Sequence, residues 1–340
     1  MPRPLTILPD PPPPPTAIGL IAGGGRLPII IAEGLRDAGH PVHGLGLARQ
    51  YDLALPPLCS SFREVGLLRV ASWAKILSKL GVRHAIMVGR VDKAKIMHDP
   101  LRMLRNIPDF RTLVAWYRLK RGDLAKDRRS HAVLAAIADE LDRGGVQLID
   151  STIPIPDQLA SAGVMTSRQP TAEQWADIEF VWPLLTEVLR LDIGQAIAVR
   201  ERDVIAVEAV EGTDRMIERA GRLCRVTGWT LVKGARSGHD RRSDVPTIGV
   251  TTIENLHQHG ARCLALAAGD VIMIDKPRVL ELADELGIAV VGVTPGLTGV
   301  SAPGLHVAGP RTAPAPTSEN GRESAEVVIP GRPAEPVRAG

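Results

Sequence analysis

The sequence predicts an α/β protein of two compact units with a ligand cleft between them. Three observations carry that expectation. From Ile18 onward, short apolar runs alternate with amphipathic helical patterns, the signature of parallel sheets covered by helices. The length of 340 residues suits two domains, at roughly 100 to 200 residues each. Both ends of the chain, in contrast, are rich in proline and carry little apolar periodicity.

Taken in order, residues 1–15 ("MPRPLTILPDPPPPP") form a proline-rich segment that favours extended polyproline II and lacks the apolar stretch of a secretory signal. We read it as disordered. The first domain, 16–165, opens with the strand "AIGLIAG", a helix over Leu27 to Ala38 and the strand "PVHGLGL". A helix over Leu68 to Leu80 leads to the strand "RHAIMVGRV", ending at Gly89 and Arg90. Residues 95–145 read as mostly helical, including "DFRTLVAWYRLKRG" and "SHAVLAAIADELDRGG", before the strand "VQLIDST". Open α/β sheets bind ligands beyond the carboxyl ends of their strands, so the Gly23 to Gly25 turn and the Gly89-Arg90 pair are expected on one rim.

The second domain, 166–300, starts with "TAEQWADIEFVWPLLTEVLRLDIG", which predicts a helix interrupted near Pro183 that bridges the two units. Two strands then flank a turn at Glu201 to Asp203, and a helix begins around Thr213. After "WTLVKG", a polar loop leads to "PTIGVTT"; "ARCLALAAGDVIMID", a helix over Pro277 to Leu286 and the strand "GIAVVGV" complete the unit. Residues 301–340, rich in Pro, Ala, Gly and charge, read as a disordered tail.

Composition narrows the function. Forty-one Lys and Arg against 38 Asp and Glu leave a net charge of +3, too balanced for nucleic acid as the default partner. The three cysteines, Cys59, Cys224 and Cys263, are widely spaced, which fits a reducing cytoplasmic compartment rather than a disulfide framework or a CxxC metal site. No apolar run reaches the roughly 18 residues of a membrane-spanning helix.

Three stretches can carry chemistry. In "IAGGGRLP", glycines let the backbone approach an anion while the following helix offers unpaired N–H groups; a tight turn without a ligand explains the same residues. The spacing is not GxGxxG, so an NAD enzyme fits poorly. In "VEAVEGTDRMIERAG", Gly212 and Thr213 stand where a strand hands over to a helix, and Thr213 either caps that helix or binds phosphate. Asp214 either complements the helix dipole or joins a site. The third stretch, "KGARSGHDRRSDVPTIG", gathers Lys233, Arg236, His239, Asp240, Arg241, Arg242 and Asp244 within twelve positions. Such a run is either a solvated loop or a phosphate–metal site, in which carboxylates hold Mg²⁺ and cations hold phosphate oxygens.

Together these segments resemble one family, the two-domain, Mg²⁺-dependent UDP-2,3-diacylglucosamine pyrophosphatases of lipid A biosynthesis. The similarity runs from about Ile18 to Val293 and is most specific in "LDIGQAIAVRERDVIAVEAVEGTDRMIERAG". "GLIAGGGRLP", "VGRV" and "DVPTIG" follow the family's order. The resemblance implies a Rossmann-like amino-terminal domain, a separate carboxy-terminal α/β domain and hydrolysis of a lipid nucleotide between them, giving 2,3-diacylglucosamine 1-phosphate (lipid X) and UMP. It also implies Mg²⁺ as cofactor and transient contact with the inner face of the cytoplasmic membrane, and it leaves self-association into a homo-oligomer open. By the same resemblance, Gly24, Gly25, Arg26, Gly89, Arg90, Thr213, Asp214 and Arg236 would bind substrate. Lys233, Asp240, Arg242 and Asp244 would be catalytic, with Asp240 and Asp244 on the metal.

The match has departures. Arg236, Ser237 and His239 stand where the family has Lys, Pro and Gln, and "RSHAVLAAI" at Arg129 to Ile137 replaces a stretch with two acidic residues. Two alternatives therefore stay open: a nucleotide-sugar-binding protein with reduced catalysis, and a diphosphate hydrolase for another UDP-linked substrate.

Overall fold

The computed structural model describes residues 12–91, 130–236, 238, 240–242 and 245–294. Most of the proline-rich start, the predicted helix containing Trp116, the residues Ser237, His239 and Asp244, and the tail 301–340 lie outside the described residues.

The N-terminal lobe is a five-stranded parallel sheet. Its strands are β1 (Ile18–Ala22), β2 (Val42–Leu47), β3 (Ser61–Val65), β4 (His84–Val88) and β5 (Gln147–Leu148), in the order β3-β2-β1-β4-β5. Every residue of β1 is buried because helices cover both faces. On one face, α1 (Leu27–Asp37) lays Ile29, Ile31 and Leu35 against Leu20 and Val42. On the other, α2 (Val70–Lys79) and α3 (Ser130–Arg143) bring Trp73, Leu77 and Leu141 onto Ile21 and Leu45. After β3 the chain crosses to β4 on the opposite side of β1, so the strand order reverses between β1 and β4. The crevice at such a reversal is where open α/β sheets take ligands.

The second sheet has the order β6-β13-β11-β9-β7-β8. Here β6 is Gly163–Val164, β7 Ala196–Arg200, β8 Asp203–Val207, β9 Trp229–Lys233, β11 Ala261–Ala267 and β13 Ala289–Val293. Strands β9, β11 and β13 are parallel, β7 and β8 form an antiparallel hairpin on one side, and β6 pairs antiparallel on the other. The helix α4 (Ala172–Arg190) covers one face through Ile178, Val181 and Leu185. The helices α5 (Thr213–Leu223), α6 (Val250–Gln258) and α7 (Lys276–Glu285) cover the other.

Three expectations need correction. The helix predicted to break near Pro183 is continuous, because Pro183 sits on the exposed side, where water can take the freed Glu179 carbonyl. Nor does α4 bridge the lobes; it lies on its own sheet and starts with a full capping box between Thr171 and Gln174. The strand expected over Val146 to Thr152 pairs only at Gln147 and Leu148. The Asp150 carboxylate then turns the chain by accepting the N–H and hydroxyl of Thr152 at 2.8 and 2.7 Å.

A small parallel pair, β10 (Thr247–Ile248) and β12 (Ile272–Met273), ties the halves together. Ile272 bridges to Leu159, and Val245, Ile272 and Ile274 pack into the N-terminal core beside Ile29 and Ile155. Residues from the second half of the sequence thus finish the core of the first.

Candidate functional site

At the strand-order reversal, two loops press backbone against backbone. The Gly23 N–H donates to the Val88 carbonyl at 2.8 Å, and Gly24 and Arg90 exchange N–H···O bonds of 2.9 and 2.8 Å. A Cβ on Gly23 would stand 2.6 Å from the Arg90 carbonyl oxygen, and one on Gly24 2.6 Å from that of Gln50. Two of the three glycines are therefore required by close packing of the chain on itself. Gly25 differs: its φ is +96°, and a Cβ there would meet nothing within 4 Å. Gly89, with φ +102°, packs against Gly23 and completes the turn.

These loops form one wall of a cavity of about 660 Å³ whose other walls come from the second half of the chain. Register places three of the facing side chains at one end of the second sheet. Lys233 ends β9 opposite Ala196; Gln195 precedes β7, and Glu208 follows β8 and donates its N–H to Ala196. The Lys233 ammonium donates to the Thr213 hydroxyl at 2.7 Å, and that hydroxyl donates to Glu208 Oε1 at 2.9 Å. Lys233 is 4% exposed and Glu208 7%, while Thr213 between them is half-buried and faces the cavity. Burial pushes the Lys233 ammonium below its ordinary pKa, against the opposing pull of Glu208 and Asp214.

Three helices point their N-termini at this space. α1 enters it with Gly25, Arg26 and Leu27, α5 with Thr213 and Asp214, and α6 with Gly249 to Thr252. Their N-cap residues, Arg26, Gly212 and Gly249, give no side-chain acceptor to the first turn. Pro28 carries no N–H, and the Ile29 and Thr252 N–H groups already donate to the Arg26 and Gly249 carbonyls at 3.0 Å, so what the three helices offer an anion is their remaining first-turn N–H groups and their positive dipole ends. At the rim, Arg26 reaches across to Asp275, with Nε 3.4 Å from the carboxylate, and lies 3.6 Å from Glu33.

Of the residues singled out in the sequence, Gly24, Gly25, Arg26, Gly89, Arg90, Thr213, Asp214 and Lys233 all border this one cavity. Asp240 and Arg242 are not in its lining. They hold each other instead: Arg242 Nε donates to both Asp240 oxygens at 2.8 and 3.0 Å, and Nη2 donates at 2.5 Å. That pairing raises the Arg242 pKa. Arg236, on the exit from β9, is also outside the lining, and Asp244 lies outside the described residues. The loop is tied to the N-terminal lobe where the Ser151 hydroxyl donates to the Arg241 carbonyl at 2.8 Å. Sequence reasoning missed Glu208, Asp275 and the start of α6. Glu208 was legible only as part of "VEAVEGTD", and the glycine before "VTTIEN" was the one signal for an N-terminus there.

A two-lobed α/β chain with a cavity between its sheets, bordered by three helix N-termini, is the class this geometry defines. Residues 17–158 match the family pattern described as LpxI N-terminal domain, and residues 161–291 match LpxI C-terminal domain. The chain is 32% identical over 289 residues to the UDP-2,3-diacylglucosamine pyrophosphatase LpxI of Caulobacter vibrioides, covering 82% of this chain and 98% of that protein. The chain belongs to the LpxI family. Among solved structures, the N5-carboxyaminoimidazole synthetase of Staphylococcus aureus aligns at 13% identity, 62% of this chain, 44% of that one and a TM-score of 0.20, a likeness too loose to inform the fold.

Proposed function

We propose that this chain hydrolyses the pyrophosphate bond of UDP-2,3-diacylglucosamine, releasing UMP and 2,3-diacylglucosamine 1-phosphate. The observation that supports this beyond family membership is the convergence of three helix N-termini lacking side-chain caps and the buried Lys233 on one cavity. A diphosphate bridging the triple-glycine bend and the start of α5 would meet N–H donors from both lobes. Transition-state charge on the phosphoryl oxygens would then be offset by fixed dipoles and cations already in place. Arg26 and Arg90 stand on the side of the nucleotide sugar, and Thr213 and Asp214 on that of the phosphates.

Mg²⁺ is the cofactor this reading implies. Among the described residues no three His, Cys, Asp or Glu side chains gather into a ready metal cage. Mg²⁺ does not need one, since it commonly takes one or two carboxylates and completes its shell with substrate phosphates and water. Asp214 and Glu208 fit that role: both border the cavity, and Glu208 Oε2 has no hydrogen-bond partner among the described residues. Asp240 fits less well, because Arg242 engages both its oxygens. When bound, the ion would neutralise phosphate charge and polarise the phosphorus under attack. The lipid-nucleotide substrate would bring the chain to the inner face of the cytoplasmic membrane at each turnover.

The test is incubation of the purified chain with UDP-2,3-diacylglucosamine, with and without Mg²⁺, followed by product identification. UMP and the acylated sugar phosphate are expected, with Mg²⁺ stimulating their release. Tight binding of the nucleotide without UMP would instead establish the binding-protein alternative. Faster turnover of UDP-N-acetylglucosamine would refute the lipid assignment.

A further inference from the structure

A second cavity, of about 530 Å³, lies between the edge strand β3 and α2 and shares no residue with the first. Its walls carry Arg63 from β3 and Lys75 and Lys79 from α2, all three exposed, and among the described residues no carboxylate lines it. Strand periodicity explains part of that imbalance. Arg63 pairs with Leu45 on the face covered by α2, whereas its neighbour Glu64 turns to the opposite face, where it bonds the Tyr51 hydroxyl. Lys75 and Lys79 stand four apart, a like-charge spacing that weakens a bare helix. Ile76 and Leu80 add an apolar wall, and the Ser61 hydroxyl is fixed by His43 Nδ1 at 2.6 Å.

We propose that this cleft is a second anion site, distinct from the catalytic cavity, that takes a phosphate group carried on a body with some apolar surface. An anion entering this cleft meets three cations on its walls and, among the described residues, no carboxylate. A phosphate has enough acceptor oxygens to engage the guanidinium and both ammonium groups together. The volume lies in the range of small-molecule pockets. Two sources carry that chemistry: a soluble phosphorylated metabolite and the headgroup of an anionic phospholipid.

Site-resolved lysine acylation read by mass spectrometry separates them. The intact chain is labelled alone, with UMP, with inorganic pyrophosphate, with phosphatidylglycerol vesicles and with phosphatidylcholine vesicles. Lys75 and Lys79 should be protected about threefold or more by a phosphate-bearing anionic probe and not by phosphatidylcholine. Protection by the soluble probes assigns a metabolite, and protection by phosphatidylglycerol alone assigns a headgroup. The Arg63→Gln/Lys75→Gln/Lys79→Gln variant should bind that probe about tenfold more weakly, while keeping the wild-type melting temperature and the turnover of the first cavity. The proposal is overturned if no anionic probe protects these lysines at millimolar concentration, or if the triple variant binds as the wild type does.

Discussion

Replacing Lys233 with Met isolates the electrostatics of the site. The ammonium is nearly sealed, bonded to Thr213, and is the buried cation facing Glu208. Met keeps most of the volume, so packing changes little, but it leaves the buried Glu208 carboxylate without its cation. The two charges meet through the Thr213 hydroxyl rather than in a direct ion pair, so losing the cation and its hydrogen bond should cost about 1–3 kcal/mol. Urea unfolding followed by tryptophan fluorescence includes the signal of Trp229, which begins β9 and is fully buried, alongside that of the four other tryptophans. The double variant Lys233→Met/Glu208→Leu should be less destabilised than the two singles together, with a coupling of about 1–3 kcal/mol. A pH signature accompanies this. The folded pKa of Lys233 lies below its ordinary value of 10.5, so between the two values the unfolded chain binds more protons. Lys233 therefore contributes a rise in stability with pH through that window, of at most about 1.4 kcal/mol per pH unit, and the difference between wild type and Lys233→Met isolates it from the opposite slope that the raised Cys59 and Cys263 thiols impose above about pH 9. A variant whose urea midpoint equals the wild type, or a cycle that is additive within about 0.5 kcal/mol, would refute the argument.

Two further outcomes follow from packing. Gly23→Ala forces a Cβ onto the Arg90 carbonyl and should cost about 1–3 kcal/mol, with faster hydrogen exchange at the Gly24 and Arg90 amides. Gly25→Ala meets no atom and bears only the penalty of its positive φ, so those two amides should keep their protection; equal loss in both variants would contradict the distinction. Burial pushes the Cys59 thiol up to about 11 and the Cys263 thiol to about 12. Both should resist iodoacetamide at pH 8 in the folded chain and react once urea unfolds it; labelling of Cys263 at its unfolded rate would count against the sealed β11.

Much of the fold was legible because its strands are buried on both faces. "AIGLIAG", "WTLVKG" and "GIAVVGV" announce themselves as apolar runs, and the β7–β8 turn falls at Glu201 and Arg202, where both φ values are positive. The edge strand β3, "SFREV", was not legible, since half-exposed polar residues carry no such signal. Nor was α6, whose first turn of Val-Thr-Thr has weak helical preference and depends on packing of Ile253 and Leu256. In the site, the glycine bend and "EGTD" stand out as turn chemistry. The Lys233–Thr213–Glu208 chain depends on strand register, and the Asp240–Arg242 pairing on loop geometry, neither of which composition encodes.

The seating of Val245, Ile272 and Ile274 in the N-terminal core also bears on biosynthesis. Translation delivers the parallel sheet first, with the face beside Ile29 and Ile155 uncovered until the ribosome has read as far as Ile274. The amino-terminal half must then wait, partly finished, for a late instalment of its own interior. Cutting the gene between the two family patterns would yield a fragment that never receives it.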